Sequence, residues 1–134
     1  MAAPYIPPIT PELWIKNLIQ AVGDIANKER QEKRWMAKDA FAWENPVELI
    51  CVIDDCVFDG FLEKYEATFS EEQRVAAFSF RDDFNYYCDS TPGSLDPAQV
   101  LTDARWAALR EKASAFVLAF SGKWPPSHMP VAPN

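Results

Sequence analysis

Glycine is scarce in this chain, with four in 134 residues and no two of them close together. That excludes a phosphate-cradling glycine loop and argues against a fold built from many tight turns. Histidine is scarcer still. The single copy, His128, lies in a proline-rich tail, apart from the predicted core where a serine or cysteine nucleophile would need its base. Three cysteines, Cys51, Cys56 and Cys88, show no framework spacing, so reduced thiols and a cytoplasmic setting are expected. A four-ligand structural zinc site is not expected from this set. No apolar run approaches the roughly 20 residues that span a bilayer. The opening MAAPYIPPITPE has neither the basic nor the apolar region of an export signal.

What is present suffices for a core. Hydrophobic residues make up 49% and aromatics 13% of the chain, enough for one domain that buries roughly two thirds of its unfolded surface. The net charge of −7 is unevenly spread. From Glu44 to Asp103, 14 acidic residues face only Lys64, Arg74 and Arg81, a segment net of −11. Just before it, Lys28, Arg30, Lys33, Arg34 and Lys38 outnumber Glu29 and Glu32, leaving +3. An acidic middle of this kind repels nucleic acid and membranes and steers basic partners toward it. The basic band could instead pair internally with the acidic stretch.

The pattern predicts an all-α fold, a single-domain bundle of about five main helices with one or two short ones. Residues 1–9 read as an extended lead-in, 10–122 as the helical domain and 123–134 as a proline-rich C-terminal tail. Thr10 caps a first helix from Pro11 to Ala26. A charged second helix is expected from Lys28 to Ala42, with Trp35, Met36, Ala40 and Phe41 as its apolar residues. Asn45, Pro46 and Glu48 open a third with a capping box. It is expected to run to a stop at Gly60 and to be central and mostly buried. A β-hairpin around Asp54-Asp55 is the competing form of that stretch. Residues 61–69 read as a short turn of helix or an irregular crossing. Ser70 and Gln73 then box the start of the next helix, whose buried stripe is Ala77, Phe80, Phe84, Tyr87 and Cys88. Asp96-Pro97 opens a short helix, and Thr102 or Asp103 caps the last one, ended by Gly122.

The acidic residues carry the functional signal. On one continuous helix Asp55 and Asp59 would share an edge, with Asp54 beside them. A solvated helix edge explains this too. The surviving enzymatic option is a magnesium site in which these three aspartates meet Asp82 and Asp83, since hard cations take oxygen ligands. A non-catalytic scaffold or assembly subunit is a further alternative, marked by an exposed apolar face.

Four stretches, QEKRW, WENPVELICVIDDCVFD, SEEQRVAAF and LTDARWAALREKA, occur in this order. That order, loosely covering residues 12–120, resembles small bacterial immunity proteins. These neutralise the toxin domain of polymorphic or contact-dependent inhibition systems. Asp54-Asp55 and the Asp103–Trp106 helix start are its most specific pieces. The resemblance implies a protein partner, a cognate and basic toxin domain, with no enzymatic activity, no cofactor, no metal, no nucleic acid and no membrane. The expected partner-binding residues are Asp54, Asp55, Asp59, Glu63, Tyr65, Asp82, Asp83 and Tyr86, with Phe69 and Trp124 as further candidate aromatic anchors.

Overall fold

A computed structural model of the chain describes residues 9–35, 45–91 and 96–127. Among them are seven α-helices, one 3₁₀ turn and no strand, so the fold is all-α. The first helix, α1 (Pro11–Ala26), has the expected bounds. The Leu13 N–H donates to Thr10 Oγ1 at 3.2 Å, Pro11 occupies the first turn, and Ile15, Leu18, Ala21, Val22 and Ile25 form the buried stripe. Next comes α2 (Lys28–Trp35). Its expected continuation to Ala42, with Met36, Ala40 and Phe41, lies outside the described residues. So do Tyr5 and Ile6, expected to pack onto the body, Trp43, expected as a core anchor, the loop expected at Pro92-Gly93, and His128.

The stretch expected to be one central helix is two. Helix α3 (Pro46–Asp55) ends after Asp55, Val57 takes a left-handed backbone at φ 52°, and α4 (Phe58–Tyr65) starts in a new direction. The cause is the apolar pattern. On one straight helix the buried residues of α3 (Pro46, Leu49, Ile53) and of α4 (Phe58, Phe61, Leu62, Tyr65) would point roughly 140° apart. Breaking the helix lets both sets reach the same core. The Trp14 indole N–H pins the break by donating to the Cys56 carbonyl at 2.8 Å. Gly60 is therefore no helix stop but an α4 residue, where a Cβ would stand 2.8 Å from Val57 Cγ1. Nor is α3 mostly buried, since Val47 and Cys51 face solvent.

Val57 is β-branched and 57% exposed, so it meets the steric penalty of the left-handed region with little burial to offset it. Val57→Gly is expected to raise stability by about 1 kcal/mol, the relieved strain exceeding the added unfolded-state entropy. A urea midpoint that fell instead would show that the break is held by the valine side chain.

The chain continues through a 3₁₀ turn (Glu66–Thr68) to α5 (Glu71–Ser90). The predicted capping box is complete: Gln73 N–H donates to Ser70 Oγ, and Ser70 N–H donates to Gln73 Oε1. Helix α6 (Pro97–Thr102) follows, then α7 (Ala104–Phe120). The helix around which the fold is built is α7, which packs most extensively on α5 and α1. Its Trp106, Leu109, Ala113, Phe116, Ala119 and Phe120 are all buried.

Asp103, not Thr102, caps α7. It accepts from the backbone N–H of Arg105 and from its guanidinium, which also reaches the Ser90 carbonyl and hydroxyl at the end of α5. The hydrogen bond from Arg105 is the largest cause holding the Asp103 carboxyl below the usual carboxylate range. A depressed folded-state value means that this stabilisation is present above the ordinary aspartate pKa and lost as pH falls through the folded value. Asp103→Ala is thus expected to cost about 1 kcal/mol at neutral pH. Its cost should shrink in acid, and a loss of equal size in strong acid, measured by urea unfolding, would contradict this.

After α7, Gly122 adopts φ +69° and turns the chain back. Trp124 then enters the core against Phe61 and Tyr65, with ring centroids 5.0 and 5.1 Å away, and its indole N–H donates to Thr68 Oγ1.

Candidate acidic binding groove

A groove runs between the α3–α4 junction and α5. Its inner part is a cavity of about 170 Å³ bounded by Ile53, Asp54, Val57, Phe58, Asp59, Phe80, Arg81, Phe84 and Asn85. The outer part, about 340 Å³, adds Leu62, Glu63, Glu66, Phe78 and Asp82 and shares Asp59, Arg81 and Asn85 with the inner one. The apolar rings form the floor and the carboxylates the walls. Helical spacing explains the assembly. Asp59, Glu63 and Glu66 follow one another at four and three residues along α4 and beyond its end, while Phe78, Arg81, Asp82 and Asn85 share one face of α5.

Five carboxylates against the Arg81 guanidinium leave the groove walls at a formal −4. Arg81 lies over the Phe78 ring and pairs with Asp82 at 3.1 Å. Glu66 pairs with Arg74 at 3.0 Å. Asp54, Asp59 and Glu63 are exposed and make no ion pair or side-chain hydrogen bond among the described residues. Within the basic band, Lys28 and Lys33 pair instead inside α2, with Glu32 and Glu29.

Of the expected site residues, Asp54, Asp59, Glu63 and Asp82 meet in this groove. Asp55 and Asp83 do not line it: the helix break separates Asp55 from Asp59, and Asp83 falls beside the lining face of α5. Tyr65 is 8% exposed and packs edge-on to Trp14, so its ring is core and not a surface anchor. Phe69 and Trp124 are corrected in the same way, both being buried in the aromatic cluster around Phe61 and Phe120. Tyr86, 63% exposed and next to Asn85, is the one expected aromatic that remains at the surface.

Glu66, Arg81 and Asn85 were not legible as groove residues. Their spacings to Glu63 and Phe78 were visible, but the facing of α4 on α5 was not.

The chain matches no protein-family model, no curated protein and no solved structure. The site therefore rests on its geometry. Among the described residues no three His, Cys, Asp or Glu side chains converge to hold a metal ion. The set of Asp54, Asp55, Asp59, Asp82 and Asp83 is accordingly not brought together. Burial, the larger cause, pushes the Cys56 and Cys88 thiols up, which makes both poor nucleophiles. No helix among the described residues is long and apolar enough to cross a membrane.

Proposed function

We propose that this is a non-catalytic binding protein whose groove between α4 and α5 receives a basic segment of a protein partner. The observation that carries this is the unpaired state of Asp54, Asp59 and Glu63 on the wall of an apolar-floored groove. With no counter-ion among the described residues, Asp54, Asp59 and Glu63 are open to a lysine- or arginine-bearing segment whose stems can lie along the half-buried Phe78. Arg81, already engaged by Asp82, leaves the centre of the groove negative. Tyr86, exposed on α5 next to the lining residue Asn85, offers an aromatic of the kind that anchors interfaces.

The resemblance to immunity proteins gives this binding a role. Toxin domains that cut nucleic acid carry basic substrate sites, and an acidic groove can occlude such a site by presenting carboxylates where phosphates would lie. Association would be fast and salt-sensitive. Co-expression with the C-terminal domain encoded next to this gene tests the role. A one-to-one complex on size exclusion, with rescue of the host from that domain, is the expected result. Failure of both would remove the immunity role.

A further inference from the structure

We propose that the outward face of α5 and α7 is a homodimer interface, joined by a two-fold axis to a second copy of this chain. The two helices are antiparallel: Gln73, near the start of α5, donates to the Ala119 carbonyl at the end of α7 and to the Lys123 carbonyl just beyond it. Between their outer faces lies a second groove of about 460 Å³, apolar in the middle and charged at its ends. Its floor is Ala76, Ser79 and Ala115, small enough for another helix to approach closely. Val75 and Leu118, 56% and 69% exposed, stand up beside that floor as the knobs.

The charges identify the occupant. Glu71 and Glu72 mark one end of the groove and Lys112 the other, about 10 Å away along the helices. None of the three has an ion-pair partner among the described residues. A two-fold axis through the groove's middle exchanges its ends. It sets Lys112 of each copy against the partner's Glu71 and the partner's Glu72, and seats each Leu118 on the opposite small-residue floor. The surface is thus complementary to itself, which is what a closed dimer requires. This face lies roughly a third of a turn around α5 from the acidic groove, so a dimer would present two free grooves. The inference does not depend on what those grooves bind.

Sedimentation of the full chain over a range of concentrations tests it. The wild type is expected to run as a dimer that dissociates on dilution. Leu118→Glu, at an exposed position, should be monomeric with an unchanged helical circular dichroism spectrum. Lys112→Glu should weaken the dimer about tenfold or more by opposing like charges, and the triple variant E71K/E72K/K112E should restore it. A wild type that stays monomeric throughout, a dimer untouched by Leu118→Glu, or a triple variant weaker than Lys112→Glu would each overturn the proposal.

Discussion

Replacing Trp124 with alanine is expected to lower the unfolding free energy by about 3–5 kcal/mol, the range for emptying a buried aromatic site. The residue follows the left-handed Gly122, in a segment whose composition suggests a loose tail, yet it is 5% exposed. Its ring contacts Phe61, Tyr65, Phe69 and Phe120, so the side chain joins α4, the turn after it and α7. The cavity cannot close easily because these neighbours are rings already held by one another. Trp124→Phe should recover part of the loss by refilling most of the volume, while still forfeiting the bond to Thr68 Oγ1. Urea unfolding of the two variants gives the comparison. A loss below about 1 kcal/mol for the alanine variant would mean that the segment after Gly122 adds nothing to the packed body.

A second large effect is expected at Gln31, which is 2% exposed. Its side-chain amide donates to the Asp24 and Ile25 carbonyls, both at 2.8 Å, and its oxygen accepts from the Trp106 indole N–H at 3.1 Å. Helix α1 has no basic residue in its last turn, so Gln31 satisfies carbonyls that the helix end leaves open. Gln31→Met keeps length and volume but takes this partner from the Ile25 carbonyl and the buried Trp106 indole N–H, and leaves the Asp24 carbonyl with the long 3.4 Å bond from the Asn27 N–H. The expected cost is about 2–4 kcal/mol. Chemical denaturation decides it, and a change within about 0.5 kcal/mol would imply that water replaces the amide. Gln73 plays a similar part at the other end of the bundle, donating to the Ala119 carbonyl of α7 and the Lys123 carbonyl of the turn after it.

These glutamines mark the boundary of what the sequence reveals. Helix starts were legible because capping is local: Thr10, Asn45, Ser70, Asp96 and Asp103 all accept from N–H groups two or three residues on. Helix ends closed from a distance were not, since Gln31 and Gln73 act on carbonyls six to 50 residues away. The break at Cys56–Val57 was hidden for a related reason. A continuous apolar run fits one buried helix, and only the direction of the core from Phe58 onward decides that it must turn. The apparent Asp55–Asp59 pair vanished with that helix. Of the acidic residues, Asp54, Asp59, Glu63 and Asp82 could be chosen by charge, but their convergence depends on how α4 faces α5. Tyr65 and Trp124 illustrate the converse, aromatic residues whose sequence surroundings look polar or loose while their rings complete the core.

The central claim is that the groove binds through its unpaired carboxylates. The direct measurement is the affinity of a partner domain captured by co-expression, by calorimetry at low and high salt, for the wild type and for Asp54→Lys/Asp59→Lys/Glu63→Lys. Because all three side chains are exposed and unpaired, the variant should keep its helical spectrum and melting temperature. Its affinity should drop at least about 100-fold, and most of the salt dependence should go with it. A folded variant that binds as tightly as the wild type would contradict the claim and leave the carboxylates as a solvated helix edge.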